Sequence, residues 1–364
     1  MSRPGLYIHV PFCTNECACC ELEAEHSLER VPFYLGGLEQ QVQLEPWPQE
    51  PFDTLYLGGG SPSCLSAADL QRLLASVQRW LPFAPATEIT VEIDPVDVHR
   101  ELLAGLRGAG VTRVQLAADG LVPEAGLPVG DRCPAARVER AVELIRTAGF
   151  DALGIDLLCE PGMPGAVWMA ALERALEYRP EHLTCHGVTF MAPGALDPAD
   201  AEERAAEVLY GMTCDRLQEA GYEHYESASF CRGPAQRLRH NLKYWRGEAF
   251  LGLGPGAQSF DGRSEWWSLS RLEAWLGRLA GGQRPLAGQQ RLGPDGLRRR
   301  RLASGLRCAA GVDRADLGAE PALVRLLERL QAAGLVATCN GQVQPTRAGL
   351  FRAEGMAQLI EQLD

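Results

Sequence analysis

Leu6-Tyr7-Ile8-His9-Val10-Pro11-Phe12-Cys13, with Cys17 and Cys20 close behind, is the stretch from which the rest of the chain is read. Leu6 to Val10 is a strand-like apolar run, and the cysteines follow it with the spacing C-x3-C-x2-C. Iron–sulfur clusters are ordinarily held by four cysteines. Three thiols collected on one short loop predict a cubane cluster with one iron left open. An open coordination position separates a reactive metal site from a structural one. The same residues also admit a zinc site completed by His9 or His26, or incidental thiols with no shared ligand.

Outward from this stretch the chain alternates strand and helix patterns. Strands are predicted at 6–10, 54–58, 88–93, 113–118, 153–158 and 182–188. Between them, Ser66 is placed to cap a helix carrying Leu70, Leu73, Leu74 and Val77 on one face. Val138, Ala141, Val142 and Ile145 repeat the pattern before Gly149, as do Trp168, Ala171, Leu172, Ala175 and Leu176 before Pro180. Six alternating units imply parallel strands with helices outside, an α/β fold. Periodicity does not say whether such a sheet is open or curled. Residues 266–290 show no strand rhythm and read as a connector. A helix pattern at 321–333 ends at Gly334, and Asn340-Gly341 signals a hairpin before a closing helix.

Composition fits a globular chain of 364 residues, with 46% hydrophobic and 23% charged residues. That length predicts two domains. The net charge of −12 disfavours nonspecific attraction to nucleic acid or anionic lipid. Arg298 to Arg301 therefore read as a solvated helix face. No run approaches the roughly 20 apolar residues of a membrane span, and no secretory signal is expected. Twelve cysteines in such a chain point to metal and free thiols. Cys64, Cys159, Cys185, Cys214, Cys231, Cys308 and Cys339 read as core residues.

The cysteine stretch resembles the radical S-adenosylmethionine (SAM) superfamily. Further matches are Gly58-Gly59-Gly60-Ser61-Pro62, Glu92-Ile93-Asp94-Pro95, Ile155-Asp156-Leu157, His240-Asn241-Leu242-Lys243-Tyr244-Trp245 and Gly252-Leu253-Gly254-Pro255-Gly256-Ala257. With these the chain resembles, more narrowly, the oxygen-independent coproporphyrinogen III oxidase family and its shorter relatives, the radical SAM heme chaperones. The resemblance covers nearly the whole chain. The cysteine motif is common to the superfamily; H-N-x-x-Y-W and G-L-G-P-G-A are far more specific.

The resemblance implies a partial (β/α)6 barrel over residues 1–265, with reactive groups at the carboxyl ends of the strands. It implies a winged-helix-like α+β domain over 266–364. Cys13, Cys17 and Cys20 are then the ligands of a [4Fe–4S] cluster, and SAM chelates the cysteine-free iron. Tyr7, Gly59, Gly60, Ser61, Glu92 and Asp156 are the expected SAM contacts, the glycines because a bare backbone lets a ligand approach closely. An electron passed to the sulfonium would give methionine and a 5′-deoxyadenosyl radical. The implied partners are heme or another tetrapyrrole, an electron donor such as a flavodoxin or ferredoxin, and a heme acceptor protein, all cytoplasmic. His240 is the candidate heme contact; its alternative is a structural histidine bonded inside its own motif.

Departures from the family pattern refine the expectation. Cys19 stands where relatives carry an aromatic residue beside the adenine. Ala118-Asp119-Gly120-Leu121 replaces V-Q-[SD]-F, and Gly130-Asp131-Arg132-Cys133 replaces G-R-x-H. Cys159-Glu160-Pro161-Gly162 is one residue short. In the oxidases these positions help hold a second SAM. The long amino-terminal arm and extra cysteine of the oxidases are also missing, since Leu22 stands where the latter would be. Together these favour a heme chaperone. The competing class is an enzyme: a coproporphyrinogen oxidase, a methyltransferase or a heme-degrading relative.

Overall fold

The computed structural model describes residues 2–13, 25–47, 50–121, 133–160, 162–189, 201–318 and 320–363. Cys17, Cys19, Cys20, Gly130, Asp131, Arg132 and Pro161 lie outside them. The first half alternates as expected: β1 (Gly5–Val10), α1 (Val31–Leu44), β2 (Phe52–Gly59), α2 (Ala67–Trp80), β3 (Phe83–Ile93), α3 (Arg100–Gly108), β4 (Arg113–Ala117), α4 (Ala135–Ala148), β5 (Ala152–Leu158), α5 (Gly165–Glu177), β6 (His182–His186) and α6 (Ala201–Glu219). Then come β7 (Glu223–His224), β8 (Ser229–Cys231), α7 (Arg239–Trp245), β9 (Phe250–Leu253), β10 (Gln258–Phe260), β11 (Ser264–Ser268), α8 (Leu272–Ala280) and β12 (Leu286–Arg291). The remainder is α9 (Pro294–Gly305), β13 (Val312–Asp313), α10 (Pro321–Ala332), β14 (Val336–Cys339), β15 (Gln342–Pro345), α11 (Arg347–Phe351) and α12 (Ala353–Glu361).

The helices form where their apolar faces recur. Leu70, Leu73, Leu74 and Val77 are buried on α2, and the Ser66 hydroxyl accepts from the Asp69 amide at its start. α4 buries Val138, Ala141, Val142 and Ile145, then stops at Gly149 with φ 73°, a conformation open to glycine. β3 starts well before residue 88. Phe83 pairs with Phe52, a register shift follows, and the Thr87 hydroxyl donates to the Phe52 and Ala84 carbonyls. Pro85 and the irregular pairing hide that extension from any alternation rule.

Two compact units divide the chain: Met1–Ile155 with Glu248–Arg291, and Asp156–Gly247 with Leu292–Asp364. In the first, the sheet order is β12-β11-β10-β9-β1-β2-β3-β4-β5. β9-β1-β2-β3-β4 pair in parallel, and β10, β11 and β12 continue antiparallel beyond β9. The segment 266–290, expected as a connector, instead folds as the end of β11, α8 and β12. Its Trp275, Leu272 and Leu279 are buried. In the second unit the end of β5 neighbours β6, followed by β8 and β7. Within the first unit β1 to β5 keep chain order across the sheet, without the reversal that marks a doubly wound fold. The fold is α/β, with six successive βα units.

The second unit also carries an antiparallel sheet β13-β15-β14, with Asn340 and Gly341 at positive φ in its hairpin. Leu302, Leu306, Leu323, Leu326, Leu330, Val336, Val343, Met356 and Ile360 form its core. Among the described residues, no helix is long and apolar enough to cross a membrane.

Candidate functional site

The carboxyl ends of β1, β2 and β3 build the site in the first unit. Val10 leads through Pro11 and Phe12 to Cys13, whose thiol is half-buried. The Cys13 amide donates to the Glu25 carbonyl at 3.2 Å and the Glu25 amide to the Pro11 carbonyl at 2.7 Å. These bonds close the neck of the segment that carries Cys17 and Cys20. His26 Nδ1 is 2.9 Å from the Cys13 carbonyl, so that nitrogen serves the backbone of the neck. Glu25 also bonds Arg30 at 3.1 Å, and Arg30 pairs with Glu273.

Gly58 and Gly59 end β2 and Gly60 follows it, and the space above each is already taken. A Cβ on Gly58 would lie 2.9 Å from the Glu92 carboxylate. On Gly59, at φ 120°, it would lie 2.7 Å from the Val10 carbonyl and 2.8 Å from the His9 ring. On Gly60 it would run into the Phe12 carbonyl. The Gly60 amide donates to Val10 and the Ser61 amide to Phe12. In the described residues, then, the glycines permit close approach of the end of β1.

Glu92 is held from two sides. Tyr56 donates its hydroxyl to Oε1 at 2.6 Å and the Gly59 amide donates to Oε2 at 3.2 Å. Tyr7 stacks on Tyr56 with centroids 6.2 Å apart, as the in-register pairing of β1 and β2 requires. The Tyr7 hydroxyl lies 3.2 Å from His9 Nδ1. Burial, with Glu92 adding to it, raises the Tyr7 pKa far above that of a free phenol. Burial lowers His9 to about 4, so its ring is neutral near pH 7. Ser61 and Ser63 hydroxyls are 3.1 Å apart, and Ser63 donates to Asp97 at 2.7 Å. Cys64, expected in the core, is half-buried here, and burial followed by Asp97 raises its thiol to about 12.

Tyr56, Ser63 and Asp97 were not singled out by sequence. The one available signal is the parallel pairing of β1 with β2, which sets Tyr56 opposite Tyr7. Tyr7, Gly59, Gly60, Ser61, Glu92 and Cys13 are brought to one end of one sheet. Asp156 belongs to the second unit, on the carboxyl half of β5.

His240 is also in the second unit, in the first turn of α7. Its side chain is fully buried, with Nε2 2.7 Å from the Tyr244 hydroxyl four residues on. Burial, with Lys243 nearby, lowers its pKa to about 3. The imidazole is therefore engaged inside its own motif. Of the scattered cysteines, Cys159, Cys185, Cys214, Cys231 and Cys308 are buried and Cys339 is exposed. Arg298, Arg299 and Arg301 pair with Asp295, Glu320 and Asp316.

Comparison with known proteins agrees with this arrangement. The family model described as the radical SAM superfamily matches residues 7–175. The heme chaperone HemW of Mycobacterium tuberculosis is 30% identical over 336 residues, covering 86% of this chain and 84% of its own. The chain belongs to the HemW family of the radical SAM superfamily. The HemW of Escherichia coli K12 is 29% identical over 265 residues, 70% of this chain and 69% of its own. Among solved structures, coproporphyrinogen III oxidase (HemN) from Escherichia coli shares the fold. It has a TM-score of 0.81 and 21% identity, with 99% of this chain and 90% of that chain covered. The α/β fold with consecutive parallel strands is thus that of a radical SAM protein, similar to a TIM-like barrel.

The donor chemistry of this end of the sheet fits a cluster. Thiolates suit iron–sulfur centres, and Cys13 starts a segment with two further thiols tied at its neck by the bonds between Pro11, Cys13 and Glu25. At the end of β3, next to the end of β2, stands the Glu92 carboxylate, whose position two hydrogen bonds fix.

Proposed function

We propose that the protein is a heme chaperone that binds a [4Fe–4S] cluster, one SAM and heme. Its family supports this reading, and the single observation that carries it is the 30% identity with a HemW heme chaperone across 86% of the chain. Cys13, Cys17 and Cys20 hold the cluster, which supplies an open iron and low-potential electrons when bound. Tyr7, Gly59, Gly60, Ser61, Glu92 and Asp156 are assigned to SAM. Tyr56 and the Gly59 amide present the Glu92 carboxylate, which suits it to accept from an ammonium group. The Ser63–Asp97 bond orders the turn carrying Ser61. His240 enters the heme site only when its bond to Tyr244 opens. Residues of the carboxyl-terminal part act as a winged-helix-like module. An electron donor and a heme acceptor protein complete the cycle, and the setting is cytoplasmic.

The rival reading is a radical SAM enzyme of the oxidase, methyltransferase or heme-degrading type. The altered residues Asp119 and Asp131 separate the two. Calorimetric titration of the reconstituted, oxygen-free protein should give one SAM per chain. Two per chain would replace the chaperone with an oxidase or methyltransferase.

A further inference from the structure

A cavity of about 410 Å3 opens within the second unit, a size usual for small-ligand sites. The last turn of α7 lines it through Leu242, Trp245 and Arg246, so the H-N-x-x-Y-W helix faces it while His240 does not. Tyr225, Arg237, Arg301 and Cys308 also line it. The Tyr225 hydroxyl is already bonded to His182 at 2.8 Å and to the Leu238 amide, so it offers the cavity carbon. Of the three guanidiniums, Arg237 pairs with Glu223 and Arg301 with Asp316. Asp313, also in the lining, accepts from the Ala315 amide. Arg246 is exposed at the rim and has no carboxylate partner among the described residues. Arg246 and Arg237 line the same cavity as the buried Cys308.

A guanidinium without a carboxylate, beside an indole and an aliphatic side chain, is complementary to a flat apolar ligand bearing a carboxylate. We propose that this cavity receives the carboxylate-bearing edge of a tetrapyrrole. Arg246 pairs a propionate, and Leu242 and the side of Trp245 not covered by Arg307, whose guanidinium lies 5.2 Å from the indole centroid, pack against the ring. This rests on the heme chaperone reading and locates the ligand within it.

The test is titration of the reconstituted full chain with hemin and, separately, with hemin dimethyl ester, followed by the Soret band. Arg246→Ala should weaken hemin about tenfold and leave the ester unchanged, because only the free carboxylate uses the guanidinium. Ala310→Trp, which fills the cavity from its lining, should weaken both. Hemin affinity unchanged in Arg246→Ala overturns the cavity assignment and leaves the chaperone reading intact. A wild type that binds neither probe overturns the heme reading itself, and the cavity assignment with it. Circular dichroism of each variant shows that the fold is kept.

Discussion

At the residue scale the chemistry rests on a few thiols and neutral imidazoles. Cys13 is seated at the neck by the Cys13–Glu25 and Glu25–Pro11 bonds, whereas Cys19 occupies a position that relatives fill with an aromatic side chain. Replacing Cys13, Cys17 or Cys20 by Ala should abolish most of the visible absorbance of the cluster, and Cys19→Ala should keep it. Equal loss from Cys19→Ala would reassign the ligands. Neither outcome is distorted by Gly59, which is a poor probe of SAM: a side chain there displaces Val10 and His9, the residues that lead to Cys13. The buried imidazoles set a pH dependence. His224 is lowered to about 4 and His240 to about 3, both by burial, from 6.5. The unfolded chain binds the extra protons, so their stabilising effect is complete above pH 6.5 and is lost as pH falls towards those values. At pH 5 each costs about 2 kcal/mol. Thermal unfolding should therefore shift down between pH 7 and pH 5, and His240→Gln should flatten that slope. An unchanged slope would mean that His240 already carries a proton in the fold.

At the element scale, the sequence was most legible where period and capping agreed. α2, α4 and the six strands β1 to β6 follow from apolar spacing, Ser66 and Gly149, because those signals are local. The segment 266–290 misled because its stabilising contacts are remote. Trp275 of α8 packs near Tyr34 of α1, with ring centroids 5.9 Å apart, and donates to Gln41. Gln41 is fully buried and had no motif to mark it. Its Oε1 accepts from the Gly254 amide at 2.9 Å and from Trp275 Nε1 at 3.2 Å, while Nε2 donates to Ser268. Gly254, at φ 101°, has no room for a side chain against the His9 carbonyl. The G-L-G-P-G-A turn is thereby clamped between α1 and β1, which explains its residues without a ligand. Gln41→Leu leaves two buried donors unpaired and should cost about 3 kcal/mol in denaturant unfolding. Loss of under about 0.5 kcal/mol, the level of a neutral surface change, would show that the turn is held by other contacts.

At the scale of the whole molecule, family and fold were legible because their motifs lie at strand ends in a regular α/β order. The glycine run was legible as a strand end, but its packing against the end of β1 was not: only the three-dimensional arrangement reveals Val10, Phe12 and Glu92 above it. His240 was legible as part of a motif, while its burial against Tyr244 was one of two readings that spacing could not separate. The central claim is that a radical SAM scaffold here serves binding and delivery of heme. It is tested most directly by incubating the cluster-loaded protein, without oxygen, with coproporphyrinogen III, SAM and a reductant, and in parallel with hemin. The account predicts one hemin bound per chain, recovered intact, and no vinyl-bearing product above the control without protein. Vinyl-bearing product in the first mixture, or loss of the heme macrocycle in the second, would contradict it.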